Sequence, residues 1–163
     1  MFNHFLIVGP SALNLDSVEA TLAHIYNNEL EFYSRGDSSG THLKELSQWK
    51  MYGYDVSTFG DWYQETGQGM GSTLSMSALD DHFTLVDIAT FCAMQDALDN
   101  EVAYEDVNEL VNQYGVIKVS PDLHNRDDKN ADLFYEWILR DDVQVLISEY
   151  KMCDLQMFYR NEE

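Results

Sequence analysis

Two glycine-rich turns hold the residue types that could do chemistry, and the chemistry they suit is capture of a small anion. In SRGDSSGTH, residues 34–42, Gly36 and Gly40 let the backbone fold tightly, while Ser38, Ser39 and Thr41 are types that cap a helix and bond its free N–H groups. The first turn of a helix points unsatisfied N–H groups outward and carries partial positive charge. An oxyanion placed there needs no cationic side chain. Arg35, the only basic residue beside either turn, adds a planar, charge-assisted fork. In ETGQGMGSTLSM, residues 65–76, Gly67, Gly69 and Gly71 stand ahead of Ser72 and Thr73. There Thr66, Gln68 and the backbone from Gly69 through Met70 to Gly71 supply neutral donors. Ser34, at the end of the strand feeding the first turn, completes the candidate oxyanion-binding set.

Residue types alone are also met by an ordinary capped helix start and by a plain glycine loop. Two such turns make a better argument for a site than one. A Walker phosphate loop is excluded, since no Gly-Lys-Ser/Thr follows the turn. Arg35-Gly36-Asp37 spells an adhesion tripeptide, but three residues carry no specificity, and Asp37 reads as a cap or orienter of the turn. Ser39, His42 and Asp37 supply the types of a nucleophile, base and orienter. They lack a GxSxG elbow, and neighbours at one helix start would all have to aim inward. A small hydrolase is therefore a distant alternative, and no catalytic residue is assigned. His42 reads as a solvent-facing first-turn residue and Met70 as packing. His4, His24, His42, His82 and His124 show no HxxxH or HxH spacing, so no metal ligand and no cofactor are assigned. Acidic pairs such as Asp80-Asp81, Asp127-Asp128 and Asp141-Asp142 lack an EF-hand loop and read as solvated charge.

Four stretches, FLIVGP, SRGDSSGTHLKELSQWK, WYQETGQGMGSTL and YGVIKVSP, resemble in that order the substrate-binding proteins of tungstate ABC transporters. The resemblance covers nearly the whole chain and is most specific in SRGDSSGTH and ETGQGMG. It implies a periplasmic binding protein type II-like lobe, a ligand that is tungstate or molybdate, an ABC permease as partner, and a periplasmic or extracellular location. It also implies a layout within one domain of 1–163: residues 10–112 as the second lobe, 1–9 and 113–120 as crossing strands, and 121–163 as C-terminal helices belonging to the other lobe. Members of that family usually read MYNDFVIVGP where this chain begins, after an entire half-lobe, so the chain is expected to lack the N-terminal half-lobe. A second departure is Ile88, where the family often has Arg. An orphan or truncated domain, acting as a sensor or interaction module without transport, is the alternative reading.

The elements that must position the turns are those of an α/β fold, with a mixed sheet flanked by helices. Phe5 to Val8 and Glu31 to Ser34 read as strands, and Ser17 to Tyr26 as a helix capped by Asp16 or Ser17. Thr41 to Met51 reads as a helix with Leu43, Leu46 and Trp49 at helical spacing, and Met70 to Leu79 as another. Phe83 to Met94 reads as one largely buried helix capped by Thr84, and Tyr114 to Val119 as a strand. The apolar positions between Leu133 and Tyr150 suit two amphipathic helices. With 29 acidic and 9 basic residues the formal charge is −20, which repels nucleic acid and anionic membranes. Screening within about 10 Å keeps that charge from deciding a local dipolar site. Two cysteines, Cys92 and Cys153, are too few for a disulfide scaffold. No stretch reaches ~18 consecutive apolar residues, and no signal peptide is read at the N-terminus. Apolar faces that a first lobe would cover are expected to drive homo-oligomer formation.

Overall fold

The computed structural model describes residues 1–120 and 129–161, so His124 and Asp127-Asp128 lie outside the described residues. The chain falls into two compact units, His4–Val111 and Met1–Asn3 with Asn112–Glu163.

The sheet runs β3-β2-β4-β1-β5, and β6 also pairs with β1; the strands are β1 (Phe2–Gly9), β2 (Phe32–Ser34), β3 (Tyr63–Glu65), β4 (Phe83–Asp87), β5 (Glu101–Glu105) and β6 (Val111–Gln113). Strand β2 is parallel to both β3 and β4, whereas β1 is antiparallel to β4 and β5. The sheet is mixed, as the sequence predicts. Strand β1 is buried from Asn3 to Gly9, which suits an apolar run covered on both faces. Helix α1 (Val18–Asn27) starts at Ser17, whose side chain accepts from Ala20 N, and turns Val18, Leu22 and Ile25 inward. Those residues join Phe5, Ile7, Phe32, Trp49, Trp62, Phe83 and Leu110 in one apolar core.

Helix α2 (Gly40–Met51) departs from its expected face. It buries Thr41, His42, Glu45, Gln48 and Trp49, and leaves Leu43 59% exposed. Positions three apart drift round a 3.6-residue helix, so Leu43, Leu46 and Trp49 do not share one stripe, whereas Glu45 and Trp49 do. The orientation is set by Trp49, whose ring meets Phe32, Tyr54, Phe59 and Trp62.

The single helix read across Phe83 to Met94 is instead strand β4 followed by α4 (Ile88–Met94). A short apolar run is compatible with either element, and sheet partners on both sides decide it here. The cap is Asp87, whose Oδ1 accepts from Ala89 N and Thr90 N, while Thr84 Oγ1 donates to Tyr33 O. Ile88 is buried at the start of α4. The strand expected over Tyr114 to Val119 is displaced to β6; Gly115 interrupts that run, and Ile117 is 90% exposed.

In the other unit, α5 (Lys129–Ile138) and α6 (Asp141–Ser148) are the two helices expected from the apolar spacing. A short hairpin follows, β7 (Lys151–Met152) and β8 (Leu155–Gln156), turned by Cys153 and Asp154 with φ of 51° and 61°. Phe2 pairs with Tyr159 through N–H···O bonds of 2.9 and 2.8 Å. No helix among the described residues is long and apolar enough to cross a membrane.

Candidate functional site

The register of two parallel strands brings the turns together. Ser34 at the end of β2 lies opposite Glu65 at the end of β3, so the chain leaves both strands at the same edge of the sheet. That edge, at the carboxyl ends of parallel strands, is where open α/β sheets hold ligands. After the turns come α2 and α3 (Met70–Asp80).

The first turn is held by its own side chains. Asp37 Oδ1 accepts from Ser39 N at 3.1 Å and Oδ2 from Arg35 Nη2 at 2.5 Å. Hydrogen bonds from Ser39, side chain and then backbone, with the Arg35 guanidinium beside them, hold the Asp37 carboxyl down at about 2. Ser39 Oγ caps α2 by accepting from His42 N at 3.3 Å. Ser38 N–H donates to His42 Nδ1 at 3.0 Å. Gly36 has φ +60°, and a Cβ there would meet Glu65 Cβ at 2.6 Å. Glycine is thus required where the two turns touch.

Arg35 bridges the turns. Its Nε donates to Gln68 O at 3.4 Å and its Nη1 to Thr41 Oγ1 at 3.2 Å. The fork is therefore already partly engaged, leaving a second hydrogen on each terminal nitrogen for a ligand. In the second turn, Thr66 N donates to Ser34 O at 2.9 Å, and the Thr66 and Thr73 hydroxyls share a 2.9 Å bond. Gln68 N goes to Thr66 Oγ1 at 3.3 Å. Gly67 takes φ +64°. Helix α3 begins at Gly69 with no side-chain cap, and neither α2 nor α3 has an acidic residue in its first turn. By helix geometry the N–H groups of Gly40 and Thr41 on α2, and of Met70, Gly71 and Ser72 on α3, have no intrahelical acceptor. Unpaired N–H groups of this kind offer an anion both donor and dipole.

Several candidate residues contribute through the backbone or through support. The N–H groups of Ser38, Ser39 and Gln68 are already used. Met70 Sδ accepts from Asp87 N at 3.5 Å, so its side chain packs, as its type suggests. The Ser39, His42 and Asp37 arrangement of a hydrolase does not form: Nδ1 of the ring accepts from Ser38, and Asp37 serves Arg35 and the Ser39 backbone.

Sequence reasoning missed the buried polar layer beneath the turns. His42, expected to face solvent, is 7% exposed. Glu45, 4% exposed, accepts from Tyr63 OH at 2.6 Å. Burial pushes its carboxyl up to about 7, with the Glu65 charge adding to the rise. Nearby Ser34, Tyr63 and Trp49 pull the other way and are outweighed, Ser34 Oγ and Trp49 Nε1 being buried without a well-formed hydrogen bond. Burial likewise raises the Tyr63 phenol. The signal for Glu45 was its place four residues before Trp49. Among the described residues no group of three or more His, Cys, Asp or Glu could hold a metal ion.

Residues 1–142 match the family model described as PBP superfamily domain. The tungstate-binding protein TupA of Peptoclostridium acidaminophilum is 39% identical over 158 residues, covering 92% of this chain and 54% of that protein. The structure of the tungstate-binding protein TupA from Desulfovibrio alaskensis G20 superposes with a TM-score of 0.81 at 32% identity, covering all of this chain and 69% of that one. That of the tungstate ABC transporter from Geobacter sulfurreducens also gives 0.81, at 31% identity, with 92% and 66% covered. The chain spans about half the length of the curated relatives it matches.

Proposed function

The chain belongs to the PBP superfamily domain family, and from that premise we propose that it binds a tetrahedral oxyanion, tungstate first and molybdate next, as the solute-binding component of an ABC transporter. The observation that carries this reading is the opposition of Ser34 and Glu65 on parallel strands, which opens two helix N-termini at one edge with Arg35 spanning them. Both ions offer only acceptor oxygens, which suit a site made of N–H and hydroxyl donors. Arg35, Ser39, Thr41 and the backbone from Gly67 to Gly71, apart from the engaged Gln68 N–H, are the residues assigned to the anion, with Ser34 buried beneath them. Its opposite face is left for a second surface to close by hinge motion.

The role in this reading is capture without chemistry, and the Ser39, His42 and Asp37 grouping is committed to building the turn. An ABC permease is the macromolecular partner in this reading, and the location is the periplasm or cell exterior. Neither cysteine being a free thiol suits such an oxidising compartment. Self-association belongs to the same reading: α5 buries none of its residues and leaves Leu133, Phe134 and Trp137 exposed, an apolar face that copies would cover. A monodisperse monomer in light scattering across a wide concentration range would remove that part.

Calorimetric titration of the chain and of Arg35→Ala with tungstate tests the site. Loss of a charge-assisted fork should cost about 1.5–3 kcal/mol of binding free energy. Unchanged affinity in the variant would place the anion elsewhere.

A further inference from the structure

The turn ahead of α2 is closed by a side chain that the anion reading leaves without a task. Ser38 adopts φ +59°, a left-handed conformation that costs a non-glycine residue free energy unless something holds it. What holds it is His42 Nδ1, which accepts the Ser38 N–H at 3.0 Å. A ring nitrogen that accepts carries no proton, so the neutral ring is the Nε2–H tautomer. That Nε2 is buried and has no hydrogen-bond partner, with Glu65 Oε1 3.8 Å away. Glu65 is the last residue of β3, immediately ahead of the second turn, and its Cβ is the atom that confines Gly36. One imidazole thus has a nitrogen on the first turn and the other facing the root of the second.

We infer that His42 is a positioning residue for the anion site, competent only as the neutral Nε2–H tautomer. In that form it fixes the Ser38 turn and hence the direction of the free Gly40 and Thr41 N–H groups. A proton on Nδ1 would set N–H against N–H and release the turn. The charged and titratable groups around the ring are few. Glu65 Oε1 on β3 lies 3.8 Å from Nε2; Asp37 and Arg35 on the turn are engaged with each other at 2.5 Å; Glu45, one helical turn on, is bonded to Tyr63 OH of β3. None of them offers Nδ1 a replacement for the Ser38 bond, so protonation and an intact turn compete. The consequence for affinity rests on the oxyanion reading, whereas the geometry does not.

Two measurements separate the two claims. Imidazole ¹⁵N NMR of the ligand-free chain at about pH 8 should find His42 Nδ1 unprotonated and Nε2 protonated, with the Ser38 amide protected from exchange until acidification protonates the ring. The opposite tautomer, or an unprotected Ser38 amide, overturns the inference whether or not the chain binds anything. Tungstate titrations of wild type, His42→Asn and His42→Gln, from about pH 6 to about pH 8.5, test the consequence. Asn Oδ1 sits where Nδ1 does and can accept from Ser38, whereas the Gln oxygen reaches the Nε2 position. His42→Asn should keep wild-type affinity within about threefold and lose its pH dependence, while His42→Gln should bind at least about tenfold more weakly. Equal binding by all three with one pH profile would overturn the inference. Wild type failing to bind tungstate at any pH would instead sink the oxyanion reading and leave the NMR result to decide the role of His42.

Discussion

Replacing Glu45 by Gln should change how stability depends on pH. The carboxyl is 4% exposed and burial raises it from 4.5 to about 7. Because the folded chain then holds the proton more tightly than the unfolded chain, its contribution is complete below 4.5 and is lost as pH rises through 7. At about 1.4 kcal/mol per pKa unit, the loss reaches about 3 kcal/mol. Gln keeps the shape and can still accept the Tyr63 hydroxyl but cannot ionise. Urea unfolding of both proteins at intervals from about pH 4 to about pH 8 isolates this group, since every other carboxylate is common to the pair. The difference in unfolding free energy should move by about 3 kcal/mol in favour of Glu45→Gln across that range. Parallel curves would refute the reasoning and mean that the folded chain tolerates the buried charge.

Gly36→Ala should destabilise the chain by about 1–2 kcal/mol for the left-handed backbone alone, and by more because its Cβ would meet Glu65 Cβ at 2.6 Å; thermal unfolding checks this, and an unchanged midpoint would contradict it. Tungstate binding should survive added salt, since the donors assigned to the anion are mostly neutral and local. Titrations with a bulky inert anion beside chloride separate screening from competition at the site. A steep loss with both would point to a diffuse surface site.

The two glycine-rich turns were legible because their signals are local: glycine where φ is positive at Gly36 and Gly67, Ser39 where a cap is needed, and helices at once after both. The paired order of strand, turn and helix also made the mixed sheet readable. What was hidden depends on tertiary partners. Phe83 to Asp87 is apolar enough for helix or strand, and only β1 and β2 on either side make it a strand. The inward face of α2 was hidden because polarity argues for solvent. His42 and Glu45 are inside because Ser38 and Tyr63 supply their hydrogen bonds, and no periodicity reports such partners. Asp37 was legible only as a cap or orienter of the turn; its pairing with Arg35, and the cost of that pairing in free donors, appears only in the geometry.

The central claim places a tetrahedral oxyanion where β2 and β3 end, and tungsten makes that directly observable through its anomalous X-ray scattering. A crystal of the chain grown with saturating tungstate should give its dominant anomalous peak within hydrogen-bonding reach of Arg35, the Gly40 and Thr41 N–H groups and the start of α3. A dominant peak elsewhere, or none at that edge of the sheet, would contradict the account.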